Sequence, residues 1–321
     1  MGPTLCVAVC THNRLEQLLR LALPSLLQQA APAHDFEILV VDNASTDATS
    51  ARIRAMLPES GNLRLVGEPV LGLSSARNRA LRETDARYVA FIDDDEIAAP
   101  DWVDSLLRAI REIGPDAACL GGPIRPRWKT GRPSWLPDQL LGALSVVDQG
   151  SVRRAVNPWE WPLVGGNICF ERHRLVAVGG FDLTLGRVGA QLLCNEETLA
   201  QQRVAADGGG IWYLPDACVH HEIPAARLSR SWFAQRFWGQ GVSDARMARI
   251  SGGSLPRLAA RNLRELARAE WHFVAGEHRG LTLSQRATMR LCALCRLAGV
   301  TQAWLSERSA AGVAESLHGS R

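Results

Sequence analysis

The first 120 residues alternate between two hydrophobic periods, and this alternation constrains the fold more than any other feature of the chain. Leu5 to Cys10 is a short apolar run of the kind expected of a strand buried on both faces. Leu15 to Gln29 carries apolar residues at helical spacing, with a kink expected at Pro24, which has no N–H to donate. Phe36 to Val41 is again strand-like. Thr46 to Leu57 reads as a helix, with Ser45 or Asp47 placed to cap it. Leu63 to Val66 is a brief strand, Ser74 to Arg82 a helix, and Tyr88 to Ile92 another apolar strand. Pro100 opens a helix running to Ile113, at a position where a missing N–H costs nothing, and Ala117 to Leu120 is a further strand. Such alternation with short links predicts an α/β fold around a doubly wound, mostly parallel sheet of Rossmann-like type. Ligands of such sheets bind beyond the carboxyl ends of the strands. Polar residues stand at those ends: Thr11-His12-Asn13-Arg14, Asp42-Asn43 and Asp93-Asp94-Asp95.

The rest of the chain is organised differently. Arg125 to Trp161 contains Pro126, Pro133, Pro137 and Pro158 interleaved with Trp128, Trp135, Trp159 and Trp161. Regular structure is expected to lapse there, as in a lid or an acceptor loop. From about Arg227 the pattern turns helical and Arg-rich. The segment from Ile223 onward holds fifteen Arg and no Lys against six acidic residues, so it carries +9 while the whole chain carries only +3. The remainder is therefore −6. Those arginines either solvate helices or face an anionic surface such as lipid headgroups. Leu283 to Leu305 mixes apolar residues with Arg286, Arg290 and Arg296, a pattern compatible with an interfacial helix or with packing on the catalytic domain. No apolar run approaches the roughly 18 residues of a membrane span. No charged segment precedes the first strand, so a signal peptide is not expected. The eight cysteines are scattered in mostly apolar contexts, as suits a reducing cytosol. Cys292 and Cys295 form a CxxC without the second ligand pair that zinc requires.

Several residues carry chemistry. Three consecutive carboxylates, Asp93 to Asp95, repel one another, and a divalent cation with a preference for hard oxygen ligands relieves that cost. A solvated turn capping the next helix is the other reading; the position after a buried parallel strand favours the metal. Asp42 can accept hydrogen bonds from a base or ribose, whereas Asp47 suits the start of a helix. Arg77, on a helix that follows Leu71-Gly72-Leu73, can face a phosphate. Glu196 and Glu197 open a helix about 100° apart, so one pairs or caps while the other faces the cleft as a general base. His220-His221-Glu222 follows a strand and raises the prospect of a metal or phosphate contact.

Taken in order, VAVCTHNR, ILVVDNASTD, GLSSARNRAL, YVAFIDDDE, VGGNICFERHRL with GGFD, NEETLAQQR and VHHEIP resemble the inverting family 2 glycosyltransferases of GT-A fold. The resemblance spans Leu5 to Gly241. It implies a GT-A catalytic domain over 1–226, with a nucleotide-sugar half (1–120) and an acceptor half (121–226), and an Arg-rich helical extension over 227–321. By position, it implies that Thr11, Asn13 and Arg14 line the nucleotide pocket, and that Asp42 recognises the base with Asn43 and Asp47 beside it. Asp93 and Asp95 match the outer members of the DXD motif, with Asp94 between them, and hold Mn2+ or Mg2+ and the diphosphate. Gly166 and Asn167 match the floor where sugar and acceptor meet. Glu197 falls on the catalytic acid of a Glu-Asp motif, here Glu-Glu, and His221 on a histidine near the metal. His12 stands where tyrosine is usual.

The implied reaction is transfer of a sugar from a nucleotide-sugar donor, with UDP favoured, to a saccharide or lipid-linked acceptor in glycan biosynthesis, in the cytoplasm or peripherally on the inner face of the plasma membrane. The rivals are a nucleotidyltransferase acting on sugar phosphates, which would want a glycine-rich phosphate loop early in the chain, and a GT-A binding protein without turnover. The tail lacks the basic–aromatic interleaving of a nucleic-acid module, and no nucleic-acid partner is expected.

Overall fold

The computed structural model describes residues 3–274 and 280–318, so residues 275–279 and 319–321 of the predicted extension lie outside the described residues. Its strands are β1 (Leu5–Thr11), β2 (Phe36–Asp42), β3 (Leu63–Gly67), β4 (Tyr88–Asp93), β5 (Glu96–Ala98), β6 (Cys119–Gly121), β7 (Ile124–Trp128), β8 (Arg154–Ala155), β9 (Asn167–Glu171), β10 (Ile211–Tyr213) and β11 (Val219–Ile223). The α-helices are α1 (Leu15–Gln17), α2 (Leu23–Leu27), α3 (Thr49–Met56), α4 (Leu73–Glu83), α5 (Trp102–Ile113), α6 (Arg172–Ala177), α7 (Glu196–Ala206), α8 (Arg230–Ile250), α9 (Leu255–Val274) and α10 (Leu283–His318).

Eight strands form one sheet in the order β3-β2-β1-β4-β9-β6-β10-β8. The pairs β3–β2, β2–β1, β1–β4 and β6–β10 are parallel, and β9 runs antiparallel between β4 and β6. Side chains alternate across this sheet with the period of two that strands impose. Leu5, Val7 and Val9 of β1 enter one core with Trp102, Leu106 and Ile110 of α5. Cys6 and Ala8 enter the opposite core with Ala76 and Ala80 of α4 and Val204 of α7. Both faces are covered, which is why β1 and β2 read as unbroken apolar runs.

The chain winds from β1 outward through β2 to β3, then returns to the other side of β1 as β4. This makes β1/β4 the switch point, where loops diverge and leave a crevice. Register holds the strand ends level there: Thr11 pairs with Asp42, and Cys10 with Asp93. A second sheet, β5-β11-β7, stands beside it and carries His221 opposite Glu96.

Three sequence expectations are corrected. The helix predicted for Leu15 to Gln29 is α1, a π-turn over Leu18–Ala22, and α2 with Pro24 in its first turn. Pro24 has no N–H for the carbonyl one turn back, and the ladder widens into a π segment just before it. The irregular stretch from Arg125 begins with a strand, β7. Pro126 is tolerated because β7 is the edge strand of its sheet, paired along its length with β11 and bridged on its other side to Val147 at Ile124. The histidine pair lies within β11 rather than after a strand.

The chain divides into two compact units. The first comprises 1–129, 145–189 and 196–223, and contains both sheets. The second comprises 130–144, 190–195 and 224–321. In the second unit α8 packs on α10 through glycines: a Cβ on Gly241 would overlap the Arg296 carbonyl, and one on Gly299 the Trp238 carbonyl. Arg296 donates from Nε to Asp244 on α8 at 2.7 Å. All eight cysteines are free thiols. Among the described residues no helix is long and apolar enough to cross a membrane.

Gly122 links the two sheets of the first unit, between β6 and β7. A Cβ there would collide with the backbone carbonyls of Ala217 and Leu214. Neither can rotate away as a side chain would, so Gly122→Ala is expected to destabilise the unit by about 1–3 kcal/mol or more. Denaturant unfolding followed by tryptophan fluorescence would measure it, and an unchanged midpoint would contradict this packing.

Candidate active site

The loops after β1 and β4 meet over the switch point through charge. Thr11 donates from Oγ1 to Asp94 at 2.8 Å. Arg14 reaches Asp94 Oδ1 from Nε at 3.2 Å and Asp95 Oδ2 from its NH2 group at 2.9 Å. Burial works against the Arg14 charge, but Asp94 and Asp95 outweigh it and hold the guanidinium above its ordinary range. Burial, opposed by Arg14 and assisted by Asp95, pushes Asp94 up to about 7. His221 Nε2 lies 3.5 Å from Asp95 Oδ2, so β11 brings the predicted histidine to the acidic turn. Asp93, with 41% of its side chain exposed, faces the crevice.

Behind this turn is a buried arginine. Arg77 of α4 stands against the edge-to-face pair of Phe91 and Phe181, with its guanidinium 5.6 and 5.5 Å from the two ring centroids. It donates to Glu196 Oε1 at 2.9 Å and to the Gly165 carbonyl at 3.0 Å, and lies 3.7 Å from Asp93 Oδ1. Its expected orientation toward a phosphate is corrected. The guanidinium is consumed by protein carboxylates and only 2% of the residue is exposed. Gly165 and Gly166 are small because two side chains press on them. A Cβ on Gly165 would lie 2.8 Å from the Arg77 guanidinium, and one on Gly166 would run into the Glu96 carboxyl.

Glu196 and Glu197 open α7 at this point. Glu196 is the member of the pair that is bonded to a protein cation, through Arg77. Burial and the Glu197 charge, opposed by Arg77, push Glu196 up to about 8. Glu196 Oε2 and Glu197 Oε2 are both buried with no hydrogen-bond partner.

The remaining predicted residues build walls. Asn13, in the left-handed region at φ 52°, accepts at Oδ1 from the amides of Thr46 and Asp47 at 2.7 and 3.2 Å. Asn43 donates to the carbonyls of Glu68 and Val70 and accepts from the Gly72 amide at 2.8 Å. Asp42 accepts from the Ser45 amide at 3.1 Å and from the Ser50 hydroxyl. Asp47 accepts from the Thr49 amide at 3.0 Å and serves the start of α3, with the Thr49 hydroxyl the main cause holding its carboxyl below the usual range. The role of Asn167 as a floor for sugar and acceptor is corrected. It is 1% exposed, accepts from Trp102 Nε1 at 2.9 Å, and donates to the carbonyls of Pro123 and Ala217 at 3.1 and 2.7 Å. It clamps β9 to α5 and to the loops around the second sheet.

Sequence reasoning passed over Glu96. Glu96 is wholly buried, accepts from the Asp93 amide at 3.1 Å, and keeps Oε1 without a partner. Burial first, then Asp93 and Asp95, raise it well above the carboxylate range. Its signal was the fourth acid in succession, at a position alternating inward on β5.

Residues 6–139 match the model for the family described as Glycosyl transferase family 2. The chain has a GT-A fold, and the domain that begins it is similar to the family 2 glycosyltransferases. The domain is 29% identical over 245 residues to the succinoglycan biosynthesis protein ExoM of Rhizobium meliloti, covering 75% of this chain and 74% of that protein. It is 28% identical over 176 residues to a glucosyl-dolichyl phosphate glucuronosyltransferase of Haloferax volcanii, covering 54% of each. Among solved structures, the mannosyltransferase PcManGT of Pyrobaculum calidifontis, in complex with GDP-Man and Mn2+, superposes with a TM-score of 0.64 at 20% identity, covering 95% of this chain and 88% of that one. TarS 1–349 of S. aureus, in complex with UDP-GlcNAc, gives 0.53 at 20% identity over 75% and 66%.

A carboxyl raised by folding binds its proton more tightly in the folded state. Its contribution to stability is complete below its ordinary value near 4.5 and is lost as pH rises through about 8 for Glu196. Glu196→Gln mimics the protonated form. The variant's melting temperature is therefore expected to fall less than that of the wild type between pH 6 and pH 9, a window set by the Glu196 value. Parallel pH curves would contradict a protonated Glu196.

Proposed function

We propose that the domain transfers a glycosyl group from a nucleoside diphosphate sugar to an acceptor hydroxyl with inversion, in a metal-dependent reaction using Mn2+ or Mg2+. The observation that carries this reading is the convergence, on one crevice of a GT-A sheet, of an acidic turn bearing Asp93 and Asp95 with a carboxylate pair at the start of α7.

The residues fit a hard divalent cation. Asp95 and His221 already converge, Asp93 stands open beside them, and Arg14 now supplies the positive charge between Asp94 and Asp95. Among the described residues no three such side chains are pre-arranged around one point, so Asp93 would join Asp95 and His221 by turning from Arg77. The cation would supply charge neutralisation for the departing diphosphate. Arg14 would add to that charge, and Asp94, held by Thr11 and Arg14, would keep the turn in place. Glu197 would take the proton of the acceptor hydroxyl as its oxygen bonds to the anomeric carbon and the bond to the diphosphate breaks on the opposite face. Glu196, protonated beside Arg77, would keep a second charge out of that site. The loops bearing Asp42 and Asn43 would receive the base, with a UDP-sugar as first candidate and a saccharide or lipid-linked glycan as acceptor.

Nucleoside diphosphate release from UDP-, GDP- and dTDP-sugars, with Mn2+ or Mg2+ and with chelator, tests the reading. Release is expected with one nucleotide, to need metal, and to fall on the order of 10²–10³-fold in Asp95→Ala. Release of pyrophosphate instead would identify nucleotidyl transfer. Separately, Glu197→Gln is expected to lower kcat for glycosyl transfer by about 10²–10⁴ while leaving the Kd for nucleoside diphosphate within a few-fold of wild type. An unchanged kcat would remove Glu197 as the base.

A further inference from the structure

The helix α10 has two apolar faces, and among the described residues only one of them is packed. Its inner face packs on α8 through buried Thr288, Cys292, Gly299 and Val300, and the glycine contacts bring the two backbones close. On the opposite side Leu283, Leu291, Leu294 and Leu305 are 78%, 37%, 53% and 53% exposed. Ala287 and Ala298, both exposed, fill the same stripe. The spacing 283, 287, 291, 294, 298, 305 keeps all six on one side of a helix over six turns. A soluble helix puts its leucines inward, so a continuous outward stripe marks a surface that meets something apolar.

Charge decides what that is. Arg290 is exposed at the margin of the stripe, and the neighbouring helix α9 exposes Arg257, Arg261 and Arg264. The segment from Ile223 onward carries fifteen Arg against six acidic residues. A second copy of this chain would bring two such +9 segments together and pay for it in repulsion. An anionic bilayer offers both an acyl layer for leucines and headgroup charge for arginines. We propose that the outward face of α10 seats the chain peripherally on an anionic membrane, with the leucine stripe entering the interface and flanking arginines on the headgroups. The helix lies on the bilayer, since none of the described helices is apolar enough to cross it. This inference does not depend on the identity of the donor or of the general base.

The test is sedimentation of the full chain with phosphatidylcholine vesicles and with mixed phosphatidylcholine–phosphatidylglycerol vesicles, at low and high salt. Wild type is expected to pellet with the mixed vesicles at low salt, and much less with phosphatidylcholine alone or at high salt. The double variant Leu291→Glu/Leu294→Glu is expected to lower the partition coefficient at least about tenfold. The milder Leu294→Ser is expected to lower it several-fold. Circular dichroism and the melting temperature show that each variant is folded. Equal pelleting of folded variants and wild type, or no preference for anionic vesicles, would overturn the proposal. So would a concentration-dependent dimer that Leu291→Glu/Leu294→Glu dissociates, since the stripe would then belong to a second copy.

Discussion

Negative charge gathered at the switch point of the sheet is the constraint on which the rest of the site depends. Asp93, Asp94, Asp95 and Glu96 approach from one side, Glu196 and Glu197 from the other, and Arg14 and Arg77 are the guanidiniums set among them. Two cations cannot hold six neighbouring carboxylates, four of them buried, all ionised, because each uncompensated charge in a poorly solvated crevice costs several kcal/mol. The structure meets this by dividing the carboxyls. Asp94, Glu96 and Glu196 are pushed toward their neutral forms by burial, while Asp93 stays in contact with solvent. Arg14 serves the acidic turn and Arg77 the carboxylate pair of α7. The paired rings of Phe91 and Phe181 and the missing side chain at Gly165 leave room for that buried cation, while Gly166 leaves room for Glu96. Such a site resists closing around its own charge and gains most from a ligand that brings a cation with it.

The parts of this arrangement that follow from periodicity were legible in the sequence. Strands buried on both faces leave unbroken apolar runs, and the sheet's strand ends then locate Thr11, Asp42 and Asp93 without further information. Side-chain direction was not legible. Arg77 lies on a helix near the crevice, as expected, but whether it points at a ligand or inward depends on Phe91, Phe181 and Glu196, the last of them 119 residues away in the chain. Asn167 follows a glycine pair, and the family resemblance implied a floor for sugar and acceptor there. The glycines instead accommodate Arg77 and Glu96, and the asparagine closes three hydrogen bonds in the interior. In both cases a short motif located the residue and the long-range partner decided its work.

The asparagines illustrate how the crevice keeps its shape. Asn13 ties the loop after β1 to the loop after β2, and Asn43 ties the loop after β2 to the turn before α4. Each amide has a donor and an acceptor end, so one side chain can close backbone groups of both kinds, which a carboxylate cannot. The loops at a switch point have no neighbouring strand to satisfy their backbone, and these side chains replace the missing ladder. A pocket wall held this way is ordered before any ligand arrives, which lowers the entropy cost of binding.

In the second unit, the same principle of close approach settles a question that amphipathicity leaves open. The α10 sequence offers leucines on one side and small residues on the other, and a hydrophobicity argument alone would bury the leucines. Gly241 and Gly299 reverse that outcome. Two helices that meet at glycines gain backbone contact over their whole crossing, and Asp244 with Arg296 fixes the rotation between them. The leucines are then turned outward by the packing of their own helix. Their exposure is therefore a consequence of which face the glycines chose, and among the described residues nothing covers the apolar stripe.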